Sequence, residues 1–246
     1  MSCALDIRDL SFTYPDGTEA LHDLDLNVHR GECVGVVGRN GAGKTTLVML
    51  LSGMLTKTAG RIRMNDIEMN RHSLADIRAR TGYIFHSPDD QLFMPTVLED
   101  VCFGPLAAGS TPDEVERTAR AIMANLGIEH LAAKFPGHLS AGQKRLATLA
   151  GVLIMDPDLL VLDEPTGTLD PQARRHLLEI LSGLSHTRLI VTHDLELVVE
   201  LCSRVIVLDD GCKIADGSPA DILGDETLMK KHGLEKPHIL RHRHPH

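Results

Sequence analysis

A chain of 246 residues with 43% hydrophobic content can bury one large core or two small ones. Its 25 Lys and Arg against 34 Asp and Glu leave a net charge of -9, which argues against a broad electrostatic footprint for nucleic acid. No apolar run reaches the roughly 18–20 residues needed to cross a bilayer, and the longest, at 152–162, is interrupted by Asp156, Pro157 and Asp158, so membrane contact has to pass through partners. The cysteines Cys3, Cys33, Cys102, Cys202 and Cys212 are odd in number and lack a C-x-x-C spacing, which argues against a disulfide framework or a zinc site. The opening residues show no basic flank leading into an apolar signal core, and the cytoplasm is the expected compartment.

In chain order, residues 4–14 and 21–37 mix alternating and short apolar runs around the turn Pro15-Asp16-Gly17 and read as β structure. A glycine-rich loop follows, then helical patterning at 43–55, a strand at 60–64, a short helix at 73–80 and a strand at 82–85. Residues 87–150 differ: Pro88, Pro95, Pro105, Pro112 and Pro136 separate helical stretches such as 113–126, the pattern of a helical insertion between two core strands. Residues 159–162 and 188–192 are short apolar runs, each preceded by a helix and followed by charge, which is the rhythm of a parallel α/β sheet. A last hairpin, 204–208 with 213–215, turns at Asp209-Asp210-Gly211 and leaves a polar tail from about 224. The expected fold is therefore α/β, a parallel-sheet core (about 1–86 and 151–223) with an antiparallel N-terminal β portion and an inserted helical subdomain (about 87–150), ending in a His-rich tail at 224–246.

Residues 38–46, Gly-Arg-Asn-Gly-Ala-Gly-Lys-Thr-Thr, satisfy G-x-x-x-x-G-K-S/T between a predicted strand and a predicted helix. Phosphate oxygens need several donors at once. Gly38, Asn40, Gly41, Ala42, Gly43, Thr46 and their neighbours supply backbone N–H groups, the helix N-terminus adds a favourable dipole, Lys44 brings a mobile positive charge, and Thr45 offers a hydroxyl to Mg²⁺. Further on, an apolar strand ends in Asp163 and Glu164 at the carboxyl edge, where ligands of such sheets bind. Asp163 is placed to hold Mg²⁺, and Glu164, one residue on, to accept a proton from a water attacking a γ-phosphate. Ser140 stands as the N-cap of an apolar helix, with Gly142 allowing close backbone approach.

Leu139-Ser140-Ala141-Gly142-Gln143 resembles the signature Leu-Ser-Gly-Gly-Gln of the ABC ATPase family, with Ala141 in place of one glycine, and the resemblance runs through nearly the whole chain. It implies an ATP hydrolase in which Ser140, Ala141, Gly142 and Gln143 of one cassette close over ATP held by another, which makes a homodimer the simplest assembly. It also implies that Tyr14 stacks on adenine, that His193 is the switch histidine contacting the γ-phosphate, and that Asp170 links the two sites across the dimer. One position departs from the family pattern: His86 stands where a glutamine is expected after the strand. An imidazole nitrogen suits Mg²⁺ less than an amide oxygen does, so weaker metal contact and slower turnover are expected.

The segment 86–97, with Glu99-Asp100-Val101 and Phe103-Gly104-Pro105 after it, is similar to the ATPases of energy-coupling factor transporters, above all those of cobalt and nickel uptake. The similarity implies a peripheral position on the cytoplasmic face of the cell membrane, with a transmembrane coupling subunit and substrate-binding membrane subunits as partners. Acidic residues beside Leu92, Phe93 and Met94 form a patch able to receive an apolar partner helix. His238, His242, His244 and His246 give the tail a bias compatible with divalent ions. A vitamin importer of the same type would share every nucleotide motif. A soluble ABC protein acting on ribosomes or chromosomes would need tandem cassettes or a long heptad arm, and neither is present in this sequence.

Overall fold

A computed structural model describes residues 3–241. Strands β1 (Cys3–Thr13) and β2 (Glu19–His29) form an antiparallel pair closed by the Pro15-Asp16-Gly17 turn, where the Tyr14 N–H donates to the Thr18 carbonyl at 2.8 Å. The stretch 21–37, expected as continuous β structure, divides at a turn in which Gly31 takes φ 78°. That turn carries the chain out of the antiparallel sheet, and β3 (Cys33–Val37) enters the middle of a second sheet, with all five of its residues buried. Helix α1 (Lys44–Leu51), strands β4 (Ala59–Met64) and β5 (Ile67–Glu68), helix α2 (Leu74–Arg80) and strand β6 (Thr81–Ile84) follow. β4 pairs with the other edge of β1, giving a four-stranded sheet in the order β2-β1-β4-β5.

Between β6 and β7 (Leu159–Asp163) lie the helices α3 (Val97–Ala107), α4 (Pro112–Asn125) and α5 (Ala141–Leu153). Pro105, expected between helices, lies inside α3. α4 starts with Pro112 in its first turn, where a missing N–H costs nothing, and buries Val115, Ala119 and Met123 at a four-residue spacing on one face. The chain continues through α6 (Pro171–Gly183), β8 (Thr187–Val191), α7 (Leu195–Leu201), β9 (Arg204–Asp209) and β10 (Cys212–Gly217). Asp210 and Gly211, at φ 45° and 76°, form the two-residue β9–β10 turn that an Asp-Gly pair favours.

The six-stranded sheet has the order β10-β9-β3-β8-β7-β6, parallel apart from β10. Its strands are apolar on both faces because both faces are covered. Leu159, Val161, Leu189, Val191, Ile206 and Leu208 join α1 and the antiparallel sheet in one core. Their neighbours Leu160, Leu162, Ile190, Val205 and Val207 point the other way, into a core shared with α3 through α7. The carboxyl ends of β3, β7 and β8 consequently open on one edge, between the two sheets and the helical insertion.

The stretch after 224, expected as a polar tail, folds back as α9 (Glu226–Lys231) and α10 (His238–Arg241), behind α8 (Pro219–Gly224). Met229 and Leu240 are buried in the helical-side core, and those two apolar residues, spaced too far apart to show a period, are what the polar composition concealed. Of the histidines assigned to the tail, His238 opens α10 and its N–H donates to the Glu196 carboxylate, while His242, His244 and His246 lie outside the described residues. Because Met229 is buried in that core, Met229→Ala should cost about 2–3 kcal/mol of stability. A urea midpoint equal to that of wild type would contradict this packing.

Candidate functional site

The loop after β3 is shaped at Gly38 and Gly43 by contacts that leave no room for a side chain. A Cβ on Gly38 would stand 2.3 Å from the Leu208 carbonyl oxygen, and one on Gly43 2.6 Å from that of Ala20, while Gly43 also holds φ 97° as the N-cap of α1. Lys44 folds back over the loop, its Nζ donating to the carbonyls of Gly38 at 2.7 Å and Arg39 at 3.0 Å. Burial pushes its ammonium below the ordinary lysine value, partly offset by the carboxylates of Glu164 and Asp163.

Gly43 and Lys44 line a cavity of about 620 Å³ together with Tyr14, Asn40, Gly41, Thr45, Thr46, His86, Asp163, Glu164 and His193. Distant sequence segments expected to act together therefore meet at one sheet edge. Tyr14 is half-buried, packs edge-to-face on Phe12 with centroids 4.8 Å apart, and shares a 3.0 Å hydrogen bond between its hydroxyl and that of Thr46. Asp163 ends β7 almost fully buried. Burial first, and then the adjacent Glu164, push its carboxyl above the ordinary value, against the pull of His86, Lys44 and Arg145. With the exposed hydroxyl of Thr45, it presents hard oxygen donors to the cavity.

Glu164 sits in the left-handed region at φ 46°, a conformation costing a non-glycine residue about 1 kcal/mol. Its backbone is held there by a 2.8 Å bond from its N–H to the Val191 carbonyl at the end of β8. The carboxylate, turned toward the residues after β8, accepts from Thr192 Oγ1 at 2.8 Å and the His193 N–H at 3.0 Å, and meets His193 Nδ1 at 2.8 Å. Thr192, fully buried, was not among the residues the motifs singled out, since only the sheet order places it against Glu164. The His193 ring is 64% exposed and borders the cavity.

Ser140 caps α5 in a reciprocal box: its Oγ accepts from the Gln143 N–H at 3.3 Å, and Gln143 Oε1 accepts from the Ser140 N–H at 3.1 Å. Gly142 lets α5 approach α6, since a Cβ there would lie 2.8 Å from that of Ala173. Asp170 caps α6 by accepting from the N–H groups of Gln172 and Ala173, both at 2.9 Å. Ser140, Gly142, Gln143 and Asp170 share a separate cavity of about 370 Å³, and none of them borders the cavity around Lys44. Ala141 lines a further one, with His86, Ser87, Asp89, Lys144 and Thr168.

A parallel sheet with a glycine loop at the carboxyl end of its central strand is the architecture of a P-loop nucleoside triphosphatase. The family model for ABC transporters matches residues 21–167, and an AAA-domain model matches 135–200. A Geobacter sulfurreducens protein named only as an ABC transporter ATP-binding protein is 49% identical over 233 residues, 95% of this chain and 94% of that one. The energy-coupling factor transporter ATP-binding protein EcfA of Methanothermobacter thermautotrophicus is 42% identical over 238 residues, 95% of this chain and 76% of that one. Among solved structures, cbiO1 of Clostridium perfringens, part of the ABC transporter complex cbiONQ, superposes with a TM-score of 0.84 at 34% identity, covering 98% of each chain. A dimeric bacterial ABC transporter cassette superposes with a TM-score of 0.79 at 25% identity, covering 87% of this chain and 98% of that one. The chain belongs to the ABC transporter ATP-binding family, and it is an ATP hydrolase.

Proposed function

We propose that this chain is the motor subunit of an energy-coupling factor importer for cobalt or nickel ions, working as a homodimer on the cytoplasmic face of the membrane. The observation that carries the dimer is the separation of its nucleotide motifs: the phosphate loop and the signature line different cavities of one chain. Two chains facing each other would complete both sites, as the dimeric relative's assembly supports. The likeness to EcfA and to cbiO1 over nearly the whole chain supports the transporter type.

In this reading the backbone of residues 38–46 and Lys44 hold the ATP phosphates, Tyr14 packs against the base, and Glu164 accepts the proton of the attacking water while His193 contacts the γ-phosphate. Ser140, Ala141, Gly142 and Gln143 meet that phosphate from the partner chain, and Asp170 lies at the join. Asp163 and Thr45 fit Mg²⁺, because a buried carboxylate accepting no hydrogen bond from another described side chain is left free for a hard cation. The ion supplies charge neutralisation at the phosphates when bound. His86 fits it less well, offering nitrogen where an oxygen donor would serve better. His86→Gln is therefore expected to raise turnover and lower the Mg²⁺ concentration at half-maximal rate. An unchanged Mg²⁺ titration would remove His86 from the metal's surroundings.

No helix among the described residues is long and apolar enough to cross a membrane; in the proposed role the chain reaches the membrane through partners. Phe103 and Leu106 of α3 are exposed along a groove of about 480 Å³ that Met94, Glu99 and Glu116 also line, and exposed Phe93, before the helix, packs edge-to-face on Phe103 with centroids 5.0 Å apart; this surface suits an apolar helix with basic flanks from a transmembrane subunit. Isolation of the chain with its bound subunits from native membranes tests the assignment. Membrane subunits that bind cobalt or nickel are expected, and a vitamin-binding subunit in their place would overturn the cargo.

A further inference from the structure

Arg145 is 1% exposed, the bulkiest of the fully buried side chains, yet none of its described hydrogen bonds goes to a carboxylate. Its Nη1 donates to the Phe85 carbonyl at 2.7 Å, its Nη2 to the His86 carbonyl at 2.8 Å and, more weakly, to that of Glu164 at 3.5 Å, and its Nε has no described partner. Burial lowers its pKa to about 10, which still leaves it charged at neutral pH, with Asp163 the carboxylate whose field favours that charge. Burying a guanidinium among carbonyls is costly, so its placement calls for a reason other than packing. The three carbonyls share a location: two leave β6 and one leaves β7, and these exits carry His86 and Glu164 to the cavity around Lys44. The donor comes from neither strand but from the second turn of α5, the helix whose first turn is the signature. On the far side, the Phe85 N–H donates to Gln91 Oε1 at 2.9 Å, and Gln91 Nε2 to the Tyr83 carbonyl at 2.9 Å, so the chain leaving β6 is clamped from both directions.

Building on the reading that Glu164 serves hydrolysis and that His86 stands beside the Mg²⁺ site, we propose that Arg145 is a positioning residue, a strut from the signature helix that sets the backbone of both together. A displacement of α5, of the kind a partner chain or membrane subunit would impose, would then reach the two side chains at once. Lysine at this position keeps the charge but cannot present a planar fork to two carbonyls, and methionine keeps the bulk without either.

The test compares Arg145→Met, Arg145→Lys and wild type in full-length chains by fluorescent ATP-analogue binding, single-turnover hydrolysis, thermal midpoint and amide hydrogen exchange. Arg145→Met is expected to bind the analogue within about twofold of wild type and to hydrolyse ATP on the order of 10- to 100-fold more slowly. Exchange should rise at residues 85–92 while β3 and α1 stay protected, and Arg145→Lys should recover part of the rate. Wild-type rate and exchange in Arg145→Met would overturn the proposal, as would a joint fall of binding, rate, midpoint and β3 protection, which marks general destabilisation. If wild type itself never hydrolyses ATP, the motor reading fails separately; the exchange comparison still decides for Arg145, since unaltered exchange at 85–92 overturns it.

Discussion

Replacing Glu164 by glutamine is expected to lower ATP turnover by roughly 10²- to 10⁴-fold, the range that loss of a positioned general base produces, while leaving ATP binding in place. The reason lies in how the carboxylate is held. Two of its contacts, from Thr192 Oγ1 and the His193 N–H, are donors, and its third neighbour is His193 Nδ1. An amide oxygen still accepts from the His193 N–H, and the amide nitrogen can donate to Thr192 Oγ1, because a hydroxyl accepts as well as donates, so the side chain keeps its place. The backbone at φ 46° is anchored separately, through the Val191 carbonyl, and does not depend on the side chain. Folding and the phosphate loop should survive, and only the ability to take a proton is lost. With hydrolysis stopped and ATP still joining two copies, the variant should accumulate as an ATP-dependent dimer. Steady-state ATPase assays beside light scattering with and without ATP check both halves. A variant that turns over at the wild-type rate would remove Glu164 from the chemistry, and one that no longer binds ATP would make it a structural residue of the loop.

Much of this site is legible in the sequence because each motif is local. The phosphate loop needs glycines at fixed offsets, the Asp163-Glu164 pair ends an apolar strand, and Ser140 with Gln143 three residues on spells a capping box. What escapes a linear reading is what the sheet order assembles. Thr192 meets Glu164 because β7 and β8 are neighbours, a pairing that a sequence separation of 28 conceals. Arg145 passes for a surface charge preceding an apolar run, although its helical register, four residues before the buried Leu149, aims it at the core. The junction between β2 and β3 reads as continuous β structure, since nothing short of the Gly31 turn shows that the chain changes sheets. The C-terminal helices were hidden for the opposite reason: they bury few apolar residues. One of them closes instead on the phosphate loop through polar contacts, His232 Nδ1 to Asp209 at 2.8 Å and Arg39 Nε to the same carboxylate at 2.7 Å.

Chains carrying Lys44→Ala and chains carrying Ser140→Asp are each expected to be inactive alone and to regain activity when mixed. Lys44→Ala removes the buried ammonium that faces the carboxylates of Asp163 and Glu164, so its own phosphate loop cannot hold ATP productively. Ser140→Asp is chosen because aspartate caps a helix about as well as serine, leaving α5 intact, while it sets a negative charge against any phosphate brought to the signature by a partner. If a site joins the phosphate loop of one chain to the signature of the other, a mixed dimer holds one site with both lesions and one with neither. Random pairing then places roughly half the chains in mixed dimers and restores roughly a quarter of the wild-type activity. If instead each chain acted alone, no pairing could bring an intact loop to an intact signature, and the mixture would stay as inactive as its parts. The cavities decide which result to expect: within one chain Lys44 and Ser140 open on different ones, so a nucleotide bound at the first has no signature of its own to meet.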